Sequence, residues 1–86
     1  MNNISKLLIT VIITTTFGFS QTTYVPDDNF EQALIDLGYD DVLDDSVLTE
    51  NISGVTELYV GEKEISDLTG IEGFTALTLL DCDNNE

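Results

Sequence analysis

Four apolar residues early in the chain follow the spacing of one helical face: Phe30, Ala33, Leu34 and Leu37. Residues 27–29, just before them, carry three side chains that can cap a helix, and Gly38 follows as a residue that readily ends one. The pattern therefore predicts a helix from about Asp28 to Leu37. Because a helix this short is marginal alone, we expect it to pack its apolar face on the rest of the protein.

Two short stretches beside this helix have the character of strands. Residues 22–25 read TTYV and precede the helix, and Val47 and Leu48 form an apolar pair after it. Threonine, tyrosine and valine favour extended backbone. We therefore predict a short extended lead before the helix and one short strand in the polar segment after it.

That polar segment is strongly acidic, and its spacing can be tested against a calcium loop. It carries five acids: Asp40, Asp41, Asp44, Asp45 and Glu50. An EF-hand loop has a glycine at its sixth position and a glutamate at its twelfth. If Glu50 is the twelfth residue, the sixth is Asp44, which is not a glycine. The spacing favours an ordinary acidic loop, so we predict no metal site and no cofactor. The sequon Asn51-Ile52-Ser53 is treated as a coincidence.

From Val55 onward the apolar residues recur with a longer period. Four pairs of positions lie 22 residues apart: Val55 and Leu77, Leu58 and Leu80, Val60 and Cys82, and Lys63 and Asn85. Neither strand alternation nor a continuous helical face produces this pattern, whereas a structural repeat does.

This period resembles the 22-residue repeats of internalin-like leucine-rich-repeat proteins, with the pattern L-x-x-L-x-L-x-x-N/C-x-L. The second copy matches that pattern at four positions: Leu77, Leu80, Cys82 and Asn85. The stretch VPDDNFEQALIDLGYDD is similar to the N-terminal region of secreted repeat proteins from Bacteroidetes-type bacteria. One departure is Lys63, where the family has an asparagine that bonds the turn after the strand.

The resemblance implies an α/β fold, the start of a leucine-rich-repeat solenoid with an N-terminal helical cap. We expect the cap, with its helix and acidic loop, over residues 21–54. One full repeat and a truncated second one then occupy residues 55–86. The resemblance further implies that the chain is the N-terminal part of a longer protein whose repeats continue beyond Glu86.

Residues 1–20 differ sharply from the rest in charge. Lys6 precedes an apolar run from Leu7 to Ile13, small residues stand at Gly18 and Ser20, and all 17 acids lie after residue 20. This is the pattern of a secretory signal peptide. A membrane anchor is the alternative, but a span needs about 20 apolar residues. We predict cleavage after Ser20, no membrane insertion afterwards, and a secreted or cell-surface protein.

Charge and composition limit the possible partners and chemistry. The formal net charge is −15, and Lys6 and Lys63 are the only basic residues. Like charge therefore argues against nucleic acid and anionic membrane surfaces. The chain has no histidine and one cysteine, Cys82, which excludes a histidine-based triad and a disulfide within the chain. We expect Cys82 to be a small buried hydrophobe, since no basic neighbour would activate its thiol.

The repeat geometry divides the remaining side chains between two faces. We expect Leu58, Val60, Leu80 and Cys82 to point inward from two parallel strands, and Ile65, Leu68, Ile71 and Phe74 to fill the convex side. The concave face, which repeat proteins use for binding, would then carry six residues: Glu57, Tyr59, Gly61, Leu79, Asp81 and Asp83. An ordinary solvent-facing surface is the alternative for this face.

Two classes of function fit these residues. The first is an extracellular leucine-rich-repeat module that binds a protein or a glycan through the concave face. The second is an enzyme, most plausibly a glycosidase that uses two carboxylates. Such an enzyme needs a pocket that raises the pKa of one carboxyl group, and an open repeat surface offers none. We therefore predict binding without catalysis in this stretch. The alternative is a non-catalytic accessory region of a larger secreted enzyme such as a glycosidase.

Overall fold

A computed structural model describes residues 21–85 as four short strands and three short helical segments. Strand β1 (Thr22–Tyr24) is followed by helix α1 (Asp28–Asp36), strand β2 (Ser46–Leu48) and helix α2 (Thr49–Ile52). Strand β3 (Glu57–Tyr59), a 3-10 turn (Ile71–Gly73) and strand β4 (Leu79–Asp81) complete the order. The predicted signal peptide and the repeats expected beyond Glu86 lie outside the described residues.

Helix α1 begins and ends where its local sequence indicates, which confirms the prediction. The Asp27 carboxylate accepts hydrogen bonds from the backbone amides of Asn29 and Phe30, at 2.9 and 3.0 Å. These bonds satisfy two of the free N–H groups of the first turn. Gly38 follows the helix with φ of 91°, a conformation that costs glycine little. None of the helices formed by residues 21–85 has the length and apolar character needed to cross a membrane.

Strands β1 and β2 pair antiparallel on either side of this helix in the sequence. Thr23 lies opposite Val47, and the hydroxyl groups of Thr23 and Thr49 share a hydrogen bond of 2.8 Å. The extended lead and the strand at Val47 and Leu48 are therefore confirmed. Their pairing and helix α2 were not predicted.

Strands β3 and β4 pair parallel, with Leu58 beside Leu80 and Tyr59 beside Asp81. Partners in this register are 22 residues apart, so the sequence period corresponds to one parallel strand pair. Backbone bonds extend the pairing past the strand ends: the Val60 amide donates to Asp81 O and the Glu62 amide to Asp83 O, at 2.8 and 2.9 Å.

The predicted leucine-rich-repeat solenoid start with a helical cap is wrong as a description of this fold. A solenoid needs a sheet that continues strand upon strand through stacked repeats. Residues 21–85 instead form two separate two-stranded sheets, one antiparallel and one parallel, with short helices. One parallel pair satisfies the 22-residue spacing completely, which is why the spacing alone could not distinguish the two architectures.

One hydrophobic core connects the two sheets. Its buried residues come from both halves of the described chain: Val25, Phe30, Ala33, Leu34, Val47, Ile52, Leu58, Val60, Ile65 and Phe74. The rings of Phe30 and Phe74 stack with centroids 6.5 Å apart, so α1 packs directly on the later segment. The inward positions of Leu58 and Val60 are confirmed. The predicted inward position of Leu80 is wrong, however, because its side chain is 38% exposed.

Gly70 allows the segment before the 3-10 turn to lie against β1. Its φ is 111°, and a Cβ at this position would meet Val25 Cγ2 at 2.7 Å and Tyr24 O at 2.8 Å. Only glycine fits so close to backbone at a positive φ.

The four residues predicted for the convex side all contribute to the core. Ile65 and Phe74 are buried, while Leu68 and Ile71 are partly buried and pack against it.

Candidate functional site

The parallel sheet presents the side chains that the sequence predicted for binding, and the structure brings them together. The register places Glu57 beside Leu79 and Tyr59 beside Asp81. Glu57, Tyr59, Leu79 and Asp83 are exposed, and Asp81 is half-buried. We call the face formed by Glu57, Tyr59, Leu79, Asp81 and Asp83 the tyrosine face.

Tyr59 is the centre of the tyrosine face. Its side chain is 53% exposed, and its hydroxyl donates a hydrogen bond to Glu57 Oε1 at 3.1 Å. This bond and the negative charge of Glu57, together with the charge of Asp81, raise the pKa of Tyr59 above its usual value. The phenol therefore stays neutral in ordinary conditions and offers an aromatic face flanked by carboxylates.

An open cavity of about 370 Å³ adjoins the ring. Six residues line it: Tyr59, Gly61, Glu62, Asp81, Asp83 and Asn84. Asp81 Oδ1 accepts the amide of Asp83 at 3.2 Å, which fixes the turn that carries three of these residues. A cationic group in this cavity would contact both the tyrosine ring and carboxylate oxygens.

Asn85 holds the turns at this end of the sheet together. Its Oδ1 accepts the amides of Lys63 and Ile65, at 2.9 and 3.1 Å. Its Nδ2 donates to the carbonyls of Val60 and Cys82, both at 2.8 Å. All four bonds go to backbone groups, so a single side chain fixes the turn after β3 against the turn after β4.

Cys82 is a free thiol that is half-buried rather than fully enclosed. It directly follows β4, packs against the core and lines a surface cavity of about 410 Å³ beside Ile65 and Leu68. The prediction of a buried Cys82 is therefore wrong, although the side chain does pack partly against the core.

A second group of chemically unusual residues lies around Glu31 of helix α1. Glu31 is fully buried, and its two carboxylate oxygens accept the amides of Asp44 and Asp45 at 3.2 and 2.9 Å. Burial and the hydrogen bond with the Asp40 carboxyl group raise the pKa of Glu31 to about 7, against the lowering effect of the two amides. We call Glu31, Asp40 and Asp44 the Glu31 centre.

Sequence reasoning missed the Glu31 centre because it tested the acidic loop only for consecutive EF-hand spacing. Glu31 belongs to the preceding helix, three residues before the core residue Leu34 and next to Phe30. An acid between apolar residues on a packed helical face is the signal that could have pointed to it.

Comparisons of the chain with protein families, with characterised proteins and with solved structures found no match. The resemblance to internalin-like proteins therefore depends on the sequence motifs alone.

Proposed function

We propose that this protein is a secreted or cell-surface binding module that recognises a protein or a glycan through the tyrosine face. The observation that carries the proposal is the exposed Tyr59 ring held between Glu57 and Asp81 on neighbouring residues of a paired sheet. Tyrosine supplies large contact area with few rotatable bonds, which makes it effective in binding surfaces.

The charge of the face favours a partner with basic or hydroxyl groups. Three of its five residues are acids, and residues 21–85 contain one basic side chain, Lys63. An arginine side chain could stack on the Tyr59 ring while it pairs with Asp81 or Asp83. Hydroxyl groups of a sugar could donate to the same carboxylates.

Binding fits the geometry better than catalysis does. Glu31 has the raised pKa that a general acid needs, but its side chain is fully buried, so a substrate cannot reach it. The carboxylates of the tyrosine face lie on an open surface instead. We therefore propose no catalytic role for either group.

NMR titration of the purified isotope-labelled protein with a hexa-arginine peptide tests this function. At physiological salt we expect the largest amide shifts at residues 57–61 and 79–83, because stacking and ion pairing occur there together. Tyr59→Ala and Asp81→Ala should each weaken binding about fivefold to thirtyfold, the equivalent of about 1–2 kcal/mol.

Two matched variants serve as controls for this titration. Tyr24→Ala removes another exposed tyrosine, 62% exposed on β1, and Glu50→Gln removes an exposed acid on α2. Neither should change the affinity more than twofold or so. Shifts spread evenly over all acidic segments, or equal losses from the control variants, would show general attraction to a negative protein and contradict the proposal.

A further inference from the structure

Two carboxyl groups of the Glu31 centre are joined by a hydrogen bond. Glu31 has no exposed surface, and its carboxyl group forms this bond with the carboxyl group of Asp40. Two ionised carboxylates offer acceptor atoms only, so the bond requires a proton on one of them. We call these two side chains the Glu31–Asp40 pair.

The charged groups that face Glu31 are all acids. Asp28 faces it from the same helix, and the following loop contributes three more: Asp40, Asp44 and Asp45. Lys63, the one basic side chain in residues 21–85, is exposed in the turn after β3. Like charges raise the energy of a buried carboxylate, so uptake of a proton stabilises this arrangement.

The Asp40 side chain gives separate evidence for a proton. It is half-buried, its Oδ1 accepts the amide of Asp41 at 2.8 Å, and its Oδ2 is enclosed. No amide or alcohol group of the described residues donates to this second oxygen. An enclosed oxygen without a donor is costly, and a carboxyl proton shared with Glu31 supplies a donor.

Glu31 also fixes the loop that follows helix α1. Its two oxygens accept the amides of Asp44 and Asp45, and the Val25 amide donates to Asp45 O at 2.9 Å. Every residue from Asp41 to Asp45 is exposed, so apolar contacts hold this loop only weakly. Asp45 also has a φ of 65°, which is uncommon outside glycine. The position of the loop therefore depends strongly on Glu31.

We propose that the Glu31–Asp40 pair is a proton-operated latch, which holds residues 40–45 on helix α1 while it is protonated and lets them detach when it is not. Loss of the proton breaks the bond between the two carboxyl groups and leaves two like charges beside each other. The amides of Asp44 and Asp45 favour the ionised form, but burial and the bond to Asp40 outweigh them.

The sign of the pH dependence follows from the pKa of Glu31. Folding raises this pKa from its ordinary 4.5 to about 7, so the attached loop binds the proton more tightly than the detached loop does. The attachment is therefore strongest in acid. It weakens as the pH rises from 4.5 to about 7 and changes little above that.

The elements on either side of the loop keep their own contacts, so detachment is local. The Asn51 side chain donates to Tyr39 O at 3.1 Å before the loop, and β2 stays paired with β1 after it. An open cavity of about 410 Å³ lies beside Tyr39, and four loop residues line it: Asp40, Asp41, Val42 and Asp44. The latch therefore makes the shape of this cavity depend on pH.

NMR of the isotope-labelled protein, from about pH 4 to about pH 9, tests the proposal. We expect the carboxyl carbon signals of the Glu31–Asp40 pair to report the loss of one proton with a midpoint near pH 7. Hydrogen exchange of the Asp44 and Asp45 amides, corrected for the intrinsic rate at each pH, reports opening of the loop. From the two pKa values of Glu31, opening should be roughly thirtyfold greater at about pH 8.5 than at about pH 5.5.

Three variants distinguish the latch from a general effect of negative charge. Glu31→Gln cannot ionise and can donate to Asp40, so loop opening should change less than about threefold over the same range. Asp40→Asn gives Glu31 a permanent donor, so the midpoint of Glu31 should fall to about pH 6 or lower. Asp41→Asn removes the exposed neighbouring acid and should leave the midpoint within about 0.3 of its natural value.

The backbone signals of α1 show in each variant whether the fold is intact. A midpoint below about pH 5 in the natural protein would overturn the latch. Loop opening that is equal at the two pH values would do the same. An undiminished pH response in Glu31→Gln would assign the change to other acids and would also overturn it.

Discussion

At the scale of single residues, Asp27 connects two distant parts of the chain. Its Oδ1 caps helix α1, and its Oδ2 accepts the amides of Ser66 and Asp67, both at 3.0 Å, and the Ser66 hydroxyl at 3.2 Å. Partial burial disfavours its charge, but the bonds from Phe30, Ser66 and Asn29 prevail and lower the pKa of Asp27 below its ordinary 3.8.

Replacing this residue should destabilise the protein in a pH-dependent way. Asp27→Ala removes the cap and the bonds to residues 66–67, which we expect to cost about 2–4 kcal/mol at neutral pH. A lowered pKa means that this stability is present above pH 3.8 and is lost as pH falls through the folded-state pKa.

Urea unfolding at pH 7 and at about pH 2.5, below the ordinary pKa of aspartate, measures both effects of Asp27→Ala. We expect the difference in free energy of unfolding between the natural protein and the variant to be smaller at the lower pH. Asp41→Ala, which removes an exposed carboxylate, should change stability by less than about 0.5 kcal/mol. If the difference in free energy of unfolding between the two proteins were unchanged at low pH, the ionised form of Asp27 would stabilise the protein no more than the protonated form.

Asp27 and Glu31 also show that residue type alone does not determine the pKa of an acidic side chain. Both are acids of the same helix region, yet hydrogen bonds lower the pKa of one, and burial raises the pKa of the other. Capping could be predicted because it depends on adjacent residues. The state of Glu31 could not, because it depends on Asp40 and Asp44, which reach it only in the folded chain.

At the scale of elements, the bounds of α1 and the register of β3 with β4 could be predicted from the sequence, whereas the pairing of β1 with β2 could not. Helix α1 follows from its caps and apolar spacing, and the tyrosine face follows from the register that the 22-residue period specifies. The antiparallel pairing of β1 with β2 depends on contacts between residues 22 to 26 positions apart. Short strands of three residues carry too little pattern to reveal such partners.

The pairing of β3 with β4 should depend on Asn85 more than on the strands themselves. Asn85→Ala removes four bonds to backbone groups, so we expect β4 to separate locally from β3 while α1 stays folded. Hydrogen exchange should show about a tenfold or greater loss of protection at the Val60 and Glu62 amides, the equivalent of at least about 1.4 kcal/mol. Amides of α1 should keep their protection.

Neighbouring substitutions separate this effect from general damage to the turn. Asn84→Gly keeps the backbone conformation at φ of 62° and should leave exchange nearly unchanged. Asn85→Asp keeps an acceptor for Lys63 and Ile65 but places a carboxylate against the carbonyls of Val60 and Cys82. It should therefore behave like Asn85→Ala. Uniform loss of protection across α1 in the Ala variant would contradict a local role.

At the scale of the whole molecule, repulsion within a large excess of negative charge opposes the stabilisation that one small core provides. The core residues come from both sheets and from α1, so the described chain should unfold as one unit. Residues 21–86 carry all 17 acids and a single base, Lys63. Their mutual repulsion favours expanded states and is weakened by salt.

We therefore expect stability to rise with ionic strength. Between about 20 mM and 500 mM NaCl, the Debye length falls from about 20 Å to about 4 Å, which removes most repulsion between separate surface acids. The melting temperature followed by circular dichroism should rise by at least about 5 °C, roughly 1 kcal/mol for a domain of this size.

The double variant Asp41→Lys/Glu50→Lys exchanges two exposed acids for bases and should melt higher at low salt with a shallower salt dependence. A melting temperature independent of NaCl would show that the core and the hydrogen bonds outweigh the charge, contrary to this expectation.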